Sequence, residues 1–308
     1  MTRAREGQTF GGTSRMVQWV NFVKLPHTVF ALPFALVGAT LASYTHEVTL
    51  GTLGWIVLAF TAARFAAMGF NRIVDRQIDG RNPRTAKREI PSGVLTVRDA
   101  TLAVTNTNTR LAIVTASLVF VFAAWRLNPI CAILSPVALG WVLWYSYTKR
   151  FTHWSHVVLG VGLAIAPVGG YLAVAGEWST PWWMLIALAL GVSTWTAGFD
   201  ILYALQDEDF DRAERLHSIP VVFGRRGALA IARGLHVSTI AALAAVGTAV
   251  PVGWLYALGV LVAAVLLLYE HSLVRGDDLS KLDAAFFTMN GVISLTFFGF
   301  VLVERLVG

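Results

Sequence analysis

The stretch Leu53-Gly-Trp-Ile-Val-Leu-Ala-Phe-Thr-Ala-Ala-Arg64-Phe-Ala-Ala-Met-Gly-Phe-Asn71-Arg-Ile-Val-Asp75-Arg-Gln-Ile-Asp79 begins as a membrane segment and ends as an acidic site. Residues 53–74 form an apolar run long enough to cross a bilayer as a helix, and Arg64 is its one charge before Arg72. Arg64, Asn71, Asp75 and Asp79 are spaced by seven, four and four residues, which places all four on one face of a helix. The run therefore predicts a membrane span with a polar stripe at its end.

Working outward, similar apolar runs recur near 28–44, 53–74, 103–125, 129–147, 156–175, 181–203, 228–250, 252–270 and 284–304. Asn106 to Arg110 dilute the start of the third. Of the 308 residues 56% are hydrophobic and 14% charged, whereas a soluble domain carries about a quarter charged residues. These features predict an all-α, polytopic membrane protein of nine spans, folded as one domain over 1–308, since no linker or low-complexity stretch interrupts the series.

A net charge of +6 could suggest a nucleic-acid partner, but the placement of the basic residues points to the bilayer. All but four of the 24 lysines and arginines fall on alternate connections: before the first span and after the second, fourth, sixth and eighth. Arg126 and Arg305 lie on the opposite side, and Arg64 and Arg72 within or at the end of the second span. By the positive-inside rule the N-terminus is cytoplasmic and the C-terminus external, so the number of spans is odd. The basic N-terminus is separated from the first apolar run by a polar stretch, and that run is too long for the core of a signal peptide, so it is expected to be retained. Cys131, the single cysteine, lies in an apolar span and is expected to pack there.

A second acidic stripe follows the sixth span. In Asp200-Ile-Leu-Tyr203-Ala-Leu-Gln-Asp207-Glu-Asp-Phe-Asp211, intervals of three, four and four place Asp200, Tyr203, Asp207 and Asp211 on one face. The Asp-x-x-x-Asp pair thus recurs 132 residues after the first, and both copies belong on the cytoplasmic side. Like charges at this spacing repel, more strongly where water is scarce, and require compensation. Carboxylate and amide oxygens are hard ligands suited to Mg²⁺, which completes its octahedron with water and phosphate oxygens. Directly after Asp79, the run Gly80-Arg81-Asn82-Pro83-Arg84-Thr85-Ala86-Lys87-Arg88 is dense in guanidinium groups able to grip phosphate in bidentate fashion. Together these features point to a metal-bound diphosphate. The plainer reading pairs the acids with basic loops at a solvated surface; the repeated spacing and the apolar setting of Asp200 weigh against it for the set as a whole. His27, His153, His156 and His217 lack metal-ligand spacing and read as interfacial or polar packing residues, and Trp144, Tyr145 and Tyr147 as interfacial aromatics.

At these residues the chain resembles the UbiA-type intramembrane prenyltransferases, in particular the 4-hydroxybenzoate and menaquinone-pathway branch. The resemblance rests on Asn71/Asp75/Asp79, Asn82-Pro83-Arg84-Thr85-Ala86, Arg88 to Gly93, Tyr145 to Phe151, and Asp200 to Asp211 followed by Ser218-Ile219-Pro220, with Phe30-Ala-Leu-Pro33-Phe near the start. It implies a nine-helix bundle in the bacterial inner membrane with its active site toward the cytoplasm. There a polyprenyl group passes from its diphosphate to a hydroxylated aromatic acid, 4-hydroxybenzoate or a dihydroxynaphthoate, in ubiquinone or menaquinone biosynthesis.

Carried over by position, the resemblance implies that Asn71, Asp75, Asp79, Asp207 and Asp211 bind Mg²⁺ with the diphosphate. Arg84, Arg88 and Lys149 would contact phosphate oxygens, and Arg64 the acceptor's carboxylate unless it serves to neutralise Asp200. Asp200 and Tyr203 would orient or deprotonate the acceptor, and Tyr145 would line the reacting end. Many family members carry Asp where this chain has Arg72, so one possible ligand is replaced by a cation. Prenylation of haem or chlorophyll precursors would use the same diphosphate machinery. A cation-coupled transporter is the alternative of another class, since paired intramembrane carboxylates also form ion pathways, but here the acids sit at helix ends on one side rather than at the midplane.

Overall fold

The computed structural model describes residues 14–22, 24, 28–93, 95, 109–274, 282 and 288–308. Outside them lie the first six residues of the third expected span (103–108), residues 284–287 of the ninth, and Arg3, Arg5, His27, Arg98, Arg275 and Lys281. The described residues are all helical or connecting: α1 (Arg15–Phe22), α2 (Thr28–Ala42), α3 (Leu50–Val74), α4 (Arg76–Arg81), α5 (Thr109–Leu127), α6 (Pro129–Thr148), α7 (Ser155–Ala175), α8 (Trp183–Ala204), α9 (Glu208–Ala213), α10 (Ile219–Gly247), α11 (Trp254–Leu273) and α12 (Asn290–Val307). Among them eight helices are long and apolar enough to cross a membrane, and α2 is a shorter apolar ninth, which accounts for the nine runs. The short helix α1, not legible as a span, lays Trp19 on Phe65 with 5.9 Å between ring centroids.

Helix ends follow local chemistry. Thr49 caps α3 by accepting the Thr52 N–H at 3.0 Å, and Asn128 caps α6 through the Cys131 N–H at 3.0 Å, ahead of Pro129 in the first turn. Gly176, at φ 69°, ends α7 in the left-handed conformation that glycine adopts without penalty. The seventh span starts earlier than expected from hydropathy. Its helix opens at Ile219, and Gly224 (φ 66°, ψ 173°) kinks it just before Arg225 and Arg226. The expected start at 228 marked where the apolar run resumes after that kink.

Helix α8 is the most enclosed span and packs against α7 and α10, while α7 also packs on α2. Apolar surface gains little by leaving lipid for protein, so such contacts rely on close backbone approach at small residues. A Cβ added at Gly170 would strike the Ala35 carbonyl, at Gly38 the Pro167 carbonyl, and at Gly160 the Ser193 carbonyl. The deep core is aromatic: Trp195 meets Phe34 and Phe199 at 4.9 Å each, and Phe297 reaches Phe34 at 6.1 Å.

The two ends of the bundle differ in polarity. At one end Arg305 donates to Ser43 Oγ at 2.9 Å, and Glu304 accepts the Gly253 and Tyr256 N–H groups at the start of α11. At the other end the C-termini of α3, α6 and α8 and the start of α10 come together, bringing both acidic motifs and their basic loops to one face.

Candidate active site

Both motifs break their helices at the middle aspartate. Helix α3 stops at Val74, Asp75 takes φ −91°, ψ 3°, and the six-residue α4 follows. On the other side α8 gives way to a 3-10 turn, Leu205–Asp207, where Asp207 takes φ −101°, ψ 2°, and the six-residue α9 follows. The Asp79 N–H still bonds to the Asp75 carbonyl at 2.8 Å, so the four-residue register survives the break. A continuous helical face was expected; the structure gives two short caps, each hinged at an aspartate.

Each carboxylate of the four holds one principal cation. Asp75 Oδ1 accepts Arg150 Nη2 at 2.8 Å, while its Oδ2 accepts the Asn71 amide at 2.8 Å. Asp79 Oδ1 accepts Arg88 Nη1 at 2.7 Å. Arg84 grips Asp207 in bidentate fashion through Nε at 2.9 Å and through Nη2, and Asn82 Nδ2 adds a third donor at 3.1 Å. Lys149 Nζ lies 2.8 Å from Asp211 Oδ1. The pairing is crossed. The loop after α4 sends Arg88 to the first motif and Arg84 to the second, and the loop after α6 sends Arg150 to the first and Lys149 to the second.

Burial sharpens the electrostatics. Asp79, Asp207 and Asp211 are buried, and burial pushes the Asp75 carboxyl above the ordinary aspartate range against the pull of Arg150. Asp79 Oδ2 is buried with no hydrogen-bond partner. Arg72 is also buried, at 4% exposure, in the field of Asp79, Glu89, Arg84 and Arg88, and its Nε and Nη1 have no hydrogen-bond partner. The residue that departs from the family pattern is thus a cation with open donor positions inside the site.

Tyr203 faces this charged layer, its hydroxyl accepting Arg84 Nη1 at 3.1 Å under the Arg84 guanidinium, 5.3 Å from the ring. Deeper on the two spans lie Arg64, eleven residues before Asp75, and Asp200, seven residues before Asp207, roughly 16 Å and 10 Å along the helix axis. No ion pair joins them among the described residues. Arg64 Nε is buried without a hydrogen-bond partner, and Asp200 Oδ2 instead accepts His156 Nδ1 at 2.7 Å. Tyr145 lies within electrostatic reach of Asp200, Asp75 and Arg88.

Three members of this constellation were not identified from the sequence. By local sequence Arg150 reads as an ordinary positive-inside residue, Asn82 as part of the arginine-rich loop, and His156 as a packing residue. Their partners lie 75, 125 and 44 positions away, beyond the reach of any local spacing rule.

As a test of fit for Mg²⁺, the donor set is composed of hard oxygens, with one buried carboxylate oxygen still open at Asp79 and another at Asp211 Oδ2. Among the described residues no three His, Cys, Asp or Glu side chains converge on one point. A metal would have to share the carboxylates with, or take them from, the four cations. The residues fit a site in which cations and carboxylates exchange partners when a metal and an anion arrive together.

Residues 31–292 match the UbiA prenyltransferase family. The chain is 32% identical over 251 residues to a protein from Citrobacter koseri named 4-hydroxybenzoate octaprenyltransferase, covering 80% of this chain and 82% of that one. It is 30% identical over 249 residues to a protein of the same name from Salmonella paratyphi B, with 80% and 81% covered. Among solved structures, the apo UbiA homolog from Aeropyrum pernix superposes with TM-score 0.79 at 29% identity, covering 90% of this chain and 98% of that one. A UbiA homolog from Archaeoglobus fulgidus, bound to GPP and Mg²⁺, shares the fold with TM-score 0.70 at 18% identity, covering 94% and 100%.

Proposed function

The chain belongs to the UbiA prenyltransferase family, and from that premise we propose that it transfers a polyprenyl group from polyprenyl diphosphate to 4-hydroxybenzoate, or to a dihydroxynaphthoate, in ubiquinone or menaquinone biosynthesis. It is an integral membrane prenyltransferase. The benzoate acceptor is favoured by the relatives at about a third identity that carry that activity in their names. The positive-inside distribution supports a site toward the cytoplasm, the bacterial relatives favour an inner-membrane protein, and the uninterrupted series of apolar runs favours one domain over 1–308.

The observation that carries the reading is the crossed pairing of four motif carboxylates with Arg84, Arg88, Lys149 and Arg150. Asn71, Asp75, Asp79, Asp207 and Asp211 would hold Mg²⁺. When bound, the metal supplies charge neutralisation that makes the diphosphate a good leaving group. The arginines and Lys149, released from their carboxylates, hold phosphate oxygens, and Arg72 offers its open Nε and Nη1 to the same anion. Tyr203 orients Arg84. Deeper in the bundle Arg64 meets the acceptor's carboxylate, Asp200 faces its hydroxyl, and Tyr145 lines the space where donor and acceptor meet. The surrounding spans exclude water, so the allylic cation formed as the carbon–oxygen bond breaks is captured by the ring instead of being hydrolysed.

The test uses membranes containing the protein, a polyprenyl diphosphate, Mg²⁺ and either acceptor, with the prenylated product quantified by mass spectrometry. Product from 4-hydroxybenzoate that disappears with EDTA supports the reading. Turnover only with the naphthoate moves the enzyme to the menaquinone pathway, and no product with either acid removes the aromatic-acid assignment.

A further inference from the structure

Asp200 is held by a histidine that meets a partner at each of its two ring nitrogens. His156, in the first turn of α7, is 3% exposed, and its Nδ1 lies 2.7 Å from Asp200 Oδ2. Its other nitrogen, Nε2, faces the Ile219 N–H at 3.5 Å. Ile219 is the first residue of α10, so its N–H is one of the donors a helix start leaves without an intrahelical acceptor. A nitrogen facing an N–H must present a lone pair. The tautomer that satisfies both contacts is the neutral ring with its proton on Nδ1, donated to Asp200. The Ser218-Ile219-Pro220 run, whose purpose the spacing of the acidic motif does not explain, places the N–H that fixes this tautomer.

We propose that His156 is a positioning residue for proton transfer from the acceptor. As a neutral Nδ1–H donor it occupies Asp200 Oδ2 without cancelling the carboxylate's charge, and leaves Oδ1 as the proton acceptor. Oδ1 takes no hydrogen bond from the described residues, and the Asp200 side chain is 21% exposed, so this oxygen is within reach of a ligand. The inference rests on the aromatic-acid reading above. In the step, the acceptor's hydroxyl proton passes to Asp200 Oδ1. The prenyl carbon–oxygen bond breaks, the diphosphate departing with the electron pair, and the ring carbon ortho to the deprotonated oxygen captures the allylic cation to form the new carbon–carbon bond. The ring proton is then lost to solvent, and Asp200 returns its proton to the oxygen, leaving the prenylated phenol, diphosphate and one proton. A histidinium in place of the neutral ring would hold the same carboxylate but weaken it as a base.

The experiment compares His156→Asn, whose amide can still donate from the position of Nδ1, with His156→Gln, whose amide reaches the position of Nε2. The Gln variant is expected to lower kcat about 100-fold, and the Asn variant less than about tenfold, with the acceptor KM changed little in either. A residue needed only for packing gives the opposite order, because Gln is nearer to His in size. Ring-fluorinated 4-hydroxybenzoates, with more acidic hydroxyls, provide a second readout: the defects of His156→Gln and Asp200→Asn are expected to shrink as the hydroxyl becomes more acidic. Defects that stay constant across the series, or Asn no better than Gln, overturn the proposal. If the variants do not fold, ¹⁵N-histidine spectra of the wild-type protein decide: a neutral Nδ1–H ring at His156 supports it, and an Nε2–H ring or a histidinium overturns it. A wild-type enzyme that prenylates no aromatic acid refutes the functional reading instead, and the same spectra then still report whether the tautomer is fixed.

Discussion

Asp75 and Asp207 sit at equivalent joints, each between a long apolar helix and a six-residue cap, with backbone angles that differ by about ten degrees at most. Their bonding differs. Asp207 accepts three side-chain N–H donors, two of them from one guanidinium, and Asp211 beyond it is fully buried. In the first motif Asp75 accepts one arginine and one amide, and its side chain is 26% exposed against 10% for Asp207, while the outer aspartates are alike in that Asp79 Oδ2 and Asp211 Oδ2 both lack a hydrogen-bond partner. One backbone plan, used twice, gives an anchored half and an open half. A ligand can enter such a site through the first motif without dismantling the second.

The largest effect that tests this contrast is loss of a carboxylate from the open half. Asp75→Ala is expected to cut prenyl transfer by roughly 10²- to 10³-fold, the scale of losing one charge-stabilising group, while thermal unfolding in detergent stays close to wild type. Asp207→Ala should abolish activity to a similar degree and also strand Arg84. Breaking a buried pair costs about 3 kcal/mol or more, so its unfolding temperature should fall well below that of Asp75→Ala. Equal melting temperatures for the two variants would break the distinction between anchor and opening.

A finer probe is Arg84→Lys, which keeps the charge and loses the bidentate grip. It should lower kcat/KM about 10- to 100-fold, whereas Arg150→Lys, at a guanidinium that meets only one oxygen of its carboxylate, should cost less. Smaller still is Arg72→Ala, expected to raise KM for the prenyl diphosphate about tenfold with kcat nearly unchanged, the loss of one charge-assisted contact. An unchanged KM would show that Arg72 serves only to balance Asp79 and Glu89. Outside the site, Gly170→Ala should leave the KM values unchanged and destabilise the bundle by about 1–3 kcal/mol through overpacking against Ala35, read as a lower melting temperature.

What the sequence made legible follows from the range of each interaction. The spans declared themselves because hydropathy is local and the bilayer fixes its length scale, and the acidic stripes did so because four-residue spacing is helical spacing. The breaks at Asp75 and Asp207 did not, since the same residues fit an unbroken helix equally well. Nor did Arg150, Asn82 and His156, whose meaning depends on which loops the bundle brings together. Arg72 was visible as a departure from the family pattern, but its burial and open donors needed the packed structure. For α1 and the kink at Gly224, local sequence carried turn and helix propensity without the tertiary contact that fixes the choice.

The crossed ion pairs have a consequence for turnover. Arg84, Arg88, Lys149 and Arg150 are each already engaged by one of the protein's own carboxylates, so a phosphate that recruits them competes with an internal rival tethered at high effective concentration. That rivalry weakens binding on entry, and it also helps expel the anion once the reaction is over, because each carboxylate is waiting to reclaim its partner. The protein thus carries a built-in competitive inhibitor that keeps it from being trapped by its own product.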